Sequence, residues 1–134
     1  MKQFYSCIDA YLPSPQPEQH AVISRKADKE DAAVVFYGAE EVRVAKAQPF
    51  ILAKLKRTPG LDGVIFFSIN QFCYGEKLNL KLIFDILDLG LSVHFAREDI
   101  SLYSQSEASE KFIIMSAFYS TTKRNSPLVA IHNK

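Results

Sequence analysis

The stretch that most constrains the fold is residues 62–102, DGVIFFSINQFCYGEKLNLKLIFDILDLGLSVHFAREDISL. Gly63 opens an apolar run, Val64-Ile65-Phe66-Phe67, of the kind that forms a strand buried on both faces. A polar loop, 68–76, follows, and a helical pattern covers 77–89 and closes at Gly90. Lys77, Lys81, Asp85 and Asp88 recur at spacings of three and four and make one polar stripe. Leu78, Leu82, Ile83, Ile86 and Leu87 cover the opposite side. Burying each of those five is worth about 1.5–3 kcal/mol before entropy costs. A second strand, 91–95, follows at once, so the segment predicts a βαβ unit with parallel strands.

The rest of the chain fits around that unit. Residues 2–9 predict a strand too apolar on both faces for a sheet edge. Pro13, Pro15 and Pro17 hold the next segment extended. A helix over 18–29 then has Ala21, Val22 and Ile23 inward and Arg25, Lys26, Lys29 and Glu30 outward. Residues 32–37 predict a second buried strand, closed by Gly38. Residues 39–47, AEEVRVAKA, are a charged connection with no assigned structure. Gln48-Pro49 starts a helix whose basic end, Lys54, Lys56 and Arg57, complements the helix dipole before Thr58-Pro59-Gly60 stops it.

A last helix is expected over about 105–123, capped by Ser104 or Ser106. Between Phe112 and Tyr119 its apolar side chains wrap most of the circumference, so it needs more than one surface to pack on. One reading places it between the sheet and another part of the same chain. The other makes Phe112, Met115, Phe118 and Tyr119 a dimer interface. A short apolar tail, 128–131, is left to pack or pair as a final strand.

Alternation of strands and helices with short loops predicts an α/β fold. It would be a three-layer αβα sandwich, its mostly parallel sheet having four to five strands, in one domain spanning 1–134. Ligands of such sheets bind beyond the carboxyl ends of the strands. Three loops, 7–17, 38–48 and 68–76, would converge there.

Composition narrows function mainly by exclusion. With 16 Lys+Arg against 15 Asp+Glu, the net charge of +1 lacks the basic surplus of a strong phosphate binder, so DNA binding is not expected. Cys7 and Cys73 make neither a disulfide framework nor a zinc spacing. His20, His94 and His132 are spaced without a metal pattern, and no cofactor is expected. No apolar run approaches a membrane span and Met1-Lys2 leads straight into a strand, so a cytoplasmic protein is expected. Ser6 and Ser68 lie near strand ends without an evident base. The two cysteines read as packing residues more readily than as a redox pair. Glu40-Glu41 reads as a solvated pair. No P-loop, GxGxxG, GxSxG or HExxH is present.

Several segments together resemble the N-terminal catalytic domain of serine recombinases, the resolvase/invertase family, over about residues 2–124. The strand, polar loop, amphipathic helix and VHFAREDISL of 64–102 carry most of the likeness. Gln48-Pro49 with Leu52 and Leu55 resembles the family's Arg-Pro helix. MSAFYSTTKR resembles the start of the long helix that carries the family's dimer interface. The resemblance implies the resolvase-like sandwich and a homodimer or another protein partner. It also implies a link to mobile-element DNA recombination.

The departures imply a degenerate site. The family's first strand ends in Arg-x-Ser, its nucleophile; here those positions read Cys7 and Asp9. The arginine before the proline is Gln48. The Asp-Arg-x-x-Arg of the third loop is replaced by Asn70, Gln71 and Tyr74, and the arginine of the last helix by Lys123. Phosphoryl transfer depends on clustered positive charge around the scissile group, which Cys, Gln and Tyr do not supply. The family's helix-turn-helix after the long helix is not expected in a chain ending about ten residues past it. An inactive, associating domain is therefore the leading expectation. A small enzyme or ligand-binding protein reusing the crevice is the alternative. An active recombinase with a displaced serine is the least favoured.

Overall fold

The computed structural model describes residues 1–10, 14–44, 46, 48–74 and 77–117. Five strands form one sheet: β1 (Lys2–Cys7), β2 (Ala32–Gly38), β3 (Gly63–Phe66), β6 (Ser92–Phe95) and β7 (Ile100–Leu102), in the order β2-β1-β3-β6-β7. The first four run parallel, and β7 pairs antiparallel with β6. Between β3 and β6 lie a short 3-10 turn (Ile69–Phe72) and a small hairpin, β4 (Cys73–Tyr74) with β5 (Lys77–Leu78). The helices are α1 (Gln16–Lys29), α2 (Gln48–Arg57), α3 (Leu80–Asp88) and α4 (Gln105–Glu110). This is the three-layer, mostly parallel α/β sandwich expected from the sequence.

The period-2 alternation of the central strands divides the core. Phe4, Ile65 and Phe67 face α1, where Ile23 and Ala27 meet them. Tyr5, Cys7, Val64 and Phe66 face the other way. There α2 contributes Ile51 and Leu55, α3 contributes Leu82, Ile83 and Ile86, and Ala108 and Met115 come from the last helical segment. Gly63 is fixed by close approach: a Cβ there would fall 2.3 Å from Ser92 Oγ and 2.9 Å from Phe4.

Some expectations change. The third helix starts at Leu80 rather than residue 77, because Lys77 and Leu78 pair with β4 and Asn79 caps the helix by accepting from Leu82 N (3.1 Å). The segment 32–37 is not a buried central strand. It is the sheet edge, and Tyr37 is 65% exposed. On α1, Ala21 is exposed and Lys26 is buried, because Lys26 reaches Glu30 (3.0 Å) and Asp99 (2.9 Å).

The last helix turns at Lys111, resumes over 112–117 and passes outside the described residues before 123. The tail 128–131 also lies outside them. Of the expected interface residues, Met115 is fully buried in this chain's own core, so it presents nothing to a partner. Phe112 is exposed, and Phe118 and Tyr119 lie outside the described residues. The Met115 side of this helix packs on its own chain.

Candidate functional site at the carboxyl ends of the strands

β1 ends at Cys7, and the two residues after it run into the crevice. Ile8 N donates to Gly38 O (3.0 Å), and Phe67 N donates to Cys7 O (3.3 Å), so neighbouring strands fix this end. Gln19 of α1 is fully buried and clamps the Asp9 backbone from both sides, accepting from Asp9 N and donating to Asp9 O, each at 2.8 Å. Asp9 is thereby held with its carboxylate buried.

Arg43 meets that carboxylate. It comes from the connection that the sequence left unassigned, and buried Val42 anchors the segment beside it. The guanidinium donates from Nη1 to Asp9 Oδ1 (3.3 Å) and from Nη2 to Asp9 Oδ2. It also donates to both Glu41 oxygens (3.0 Å each), and its Nε donates to Asn70 O (2.9 Å). One side chain therefore joins the three loops expected to converge. Burial works against its charge, but the Asp9 and Glu41 carboxylates more than offset that, and its pKa is raised above the ordinary arginine value.

The other named positions serve the scaffold. Gln48 Nε2 donates to Val42 O (3.0 Å), holding the connection that carries Arg43. Gln71 is buried, donates to Cys7 O (3.1 Å) and accepts from Ser68 N (3.0 Å). Asn70 N donates to Ser68 Oγ (3.1 Å), while Asn70 Oδ1 is buried without a hydrogen-bond partner among the described residues. Cys7, Asp9, Gln48, Asn70 and Gln71 thus belong to one connected cluster. Tyr74 closes the β4 strand, but its side chain lies outside the described residues, as does Lys123.

Of the remaining nucleophile candidates, both cysteines are held as thiols and Ser68 is hydrogen-bonded. Burial, followed by the field of Glu40, pushes the Cys7 thiol well above its ordinary pKa. Burial pushes Cys73 up to about 12. Both are thiols at neutral pH, and the thiolate is the reactive form. Ser68 Oγ donates to Glu98 (2.9 Å) and accepts from Arg97 (2.6 Å). Ser6 Oγ is buried without a partner among the described residues. Glu40, read as solvated, is half-sheltered. It accepts from Tyr5 OH (2.6 Å) and Lys54 Nζ (2.7 Å), and burial with this contact pushes the Tyr5 phenol up to about 12. Gly38 leaves room for this group, since a Cβ there would lie 2.4 Å from Tyr5 OH and from Glu40 Oε2. No group of three potential metal ligands occurs among the described residues.

Beside this cluster runs an open groove of about 930 Å³. Phe72, Val44, Leu78 and Leu80 supply its apolar lining, and Arg43, Lys77 and Lys81 its charge.

Sequence reasoning missed Arg43, Gln19 and Glu98. The available signal at Arg43 was its place between Val42 and Val44, an apolar-charged-apolar step in a segment otherwise without pattern.

No family model matches the chain, and no curated protein matches it. Solved structures do. The N-terminal catalytic domain of TP901-1 integrase superposes with a TM-score of 0.64 at 14% identity, covering 92% of this chain and 98% of that one. A resolvase family site-specific recombinase from Streptococcus pneumoniae superposes with a TM-score of 0.59 at 16% identity, covering 99% and 95%. At these identities the likeness is one of fold. The chain has the resolvase-like αβα fold of serine recombinase catalytic domains.

Proposed function

We propose that this is a resolvase-like domain that has lost phosphoryl transfer and works by association, with itself or with another protein, in the setting of mobile-element DNA recombination. The observation that carries the reading is the Asp9–Arg43 pair. By the resemblance, Asp9 stands where the family has its nucleophilic serine; its carboxylate is buried, and Arg43 is committed to it and to Glu41. An anionic phosphate approaching Asp9 meets like charge, and the guanidinium of Arg43 is already engaged by Asp9, Glu41 and the Asn70 carbonyl. DNA binding is not part of the proposal, because the chain has no basic surplus. No described helix is long and apolar enough to cross a membrane, and the cytoplasm is the proposed compartment.

The test is twofold. Supercoiled plasmid incubated with the protein should stay uncut, and sedimentation in the range of tens of micromolar should show association. Nicked or recombined plasmid overturns the loss of catalysis, and a strict monomer overturns self-association.

The groove beside Arg43 favours a second reading, a ligand-binding protein that reuses the strand-end crevice. Saturable binding of a small apolar anion, lost on Leu78→Asp, would favour it.

A further inference from the structure

Away from the crevice, towards the amino ends of the strands, Ser92, His94, Ser101 and Glu30 form a line of hydrogen bonds. Ser92 and His94 lie in β6, Ser101 faces His94 from β7, and Glu30 caps α1. His94 Nε2 is 2.8 Å from Ser92 Oγ, and His94 Nδ1 is 2.9 Å from Ser101 Oγ. Ser101 Oγ donates to Glu30 Oε1, which lies 3.7 Å from His94 Nδ1.

The protons give this line a direction. Burial opposes the charge of Glu30, but its bonds to Ser101 and Lys26 hold its pKa at about 2, so it is ionised and only accepts. The single hydrogen of Ser101 goes to that carboxylate, and Ser101 therefore accepts from His94 Nδ1. Burial pushes His94 down to about 4, so its ring is neutral at pH 7 and Nδ1 carries its one hydrogen. Nε2 is left as a lone pair, and Ser92 donates to it. The other acceptor within reach of Ser92 Oγ, the Asp62 carbonyl, is farther off at 3.3 Å. A serine hydroxyl on a histidine whose far nitrogen is tied back to a carboxylate is the arrangement that activates a nucleophile. Here one serine is inserted between the histidine and the carboxylate.

The nucleophile end of the line reaches a cavity. Ser92 is 7% exposed and lines a pocket of about 300 Å³ with Lys2, Asp62, Leu87, Gly90 and Tyr103. Lys2 Nζ donates to Tyr103 OH (3.4 Å) and lies over its ring, 5.2 Å from the centroid, so the ammonium is held at this wall. Lys2 and Asp62 bring one charge of each sign, and the pocket suits a small neutral molecule.

We propose that Ser92 is an acyl-accepting nucleophile, with His94 as its base, and that this pocket takes a small neutral ester. Ser92 Oγ attacks the carbonyl carbon and its proton passes to His94 Nε2. The bond to the leaving oxygen breaks, and that oxygen takes the proton from Nε2, giving acyl-Ser92 and an alcohol. Water repeats the sequence and releases the acid. Lys2 supplies positive charge to the pocket while the carbonyl oxygen is anionic. Ser101 and Glu30 position the ring. The site is separate from the Arg43 crevice and stands whether or not the domain associates.

Incubation of the full chain with p-nitrophenyl acetate, followed by mass spectrometry of a proteolytic digest, tests this. The acetyl group should sit on Ser92. Release of p-nitrophenolate should fall about a hundredfold in Ser92→Ala and in His94→Gln, with both folded by circular dichroism. Ser101→Ala should lower kcat about tenfold at unchanged KM, because Ser101 does not touch the ester. Acetyl groups on lysines alone, or Ser92 acetylated as fast in His94→Gln, overturn the proposal and leave the four residues as a buried polar network. Should either variant unfold, a fluorophosphonate reagent on the unmodified chain decides: phosphonylation of Ser92 supports the assignment, and none overturns it.

Discussion

At the scale of single residues, Arg43 decides what the crevice can do. It neutralises Asp9 and Glu41 while spanning to the Asn70 carbonyl, and removing it leaves two sheltered carboxylates facing each other. Breaking such a pair from one side costs more than the pair is worth, because the surviving charge is stranded. Arg43→Ala should lower unfolding stability by about 3 kcal/mol, read from urea denaturation. None of this was legible in the sequence. Apart from Glu41, two residues back, the partners of Arg43 lie 27 and 34 residues away, and no periodicity in 39–47 points to them.

His94 sets a second prediction at the same scale. It is fully buried, stacked on Phe4 with ring centroids 4.4 Å apart, and hydrogen-bonded to Ser92 (2.8 Å) and Ser101 (2.9 Å). Burial pushes its pKa from 6.5 down to about 4, against the pull of Glu30; Lys26 and Lys2 act with burial. The folded state thus prefers the neutral ring, and below pH 6.5 the unfolded chain takes up a proton that the folded chain refuses. Stability should fall as pH drops from 6.5 to 4, by at most about 3 kcal/mol. Glu30 acts in a separate window. Although burial opposes its charge, its bonds to Ser101 and Lys26 hold its pKa at about 2, so its contribution is lost only below its ordinary 4.5. A urea midpoint followed between these limits should slope for the native chain and flatten for His94→Gln.

At the scale of elements, the periodic signals were legible and the boundaries less so. The apolar side of α3 was readable because Leu82, Ile83 and Ile86 repeat at helical spacing, and all three are buried. Its start was not, because KLNLKL suits a strand end, a cap or a first helical turn. Only the pairing with β4 decides among them. Asn79→Ala removes the cap to Leu82 N and should cost about 1 kcal/mol, measurable as a lower thermal midpoint with the fold unchanged by circular dichroism. The edge strand β2 was misread for a related reason. AAVVFY has no polar alternation, and whether such a run lies central or outermost depends on sheet order, which no single strand encodes. Lys26 followed the helical pattern outward in the sequence, but Asp99, 73 residues on, draws it in.

At the scale of the whole molecule, the βαβ unit at 62–102 carried the architecture. The order of elements settled a three-layer sandwich, and the solved recombinase domains share that fold over nearly the full chain. The crevice at the carboxyl ends of the strands contains an internal ion pair, packed amides and protonated thiols. A shared fold does not by itself carry a shared chemistry, because chemistry resides in the side chains placed on a fold and not in the fold itself. Among the described residues, exposed apolar side chains stand at Ile113 and Ile114, and a groove opens beside Arg43.

The most direct measurement of that claim traps covalent protein–DNA adducts. The chain and its Asp9→Ser variant are incubated with supercoiled DNA, quenched in denaturant and resolved by size. The account predicts no adduct from either, since a serine at residue 9 would still lack clustered positive charge, residues 48, 71 and 74 being Gln, Gln and Tyr. A phosphoserine-linked adduct from the native chain would contradict it outright.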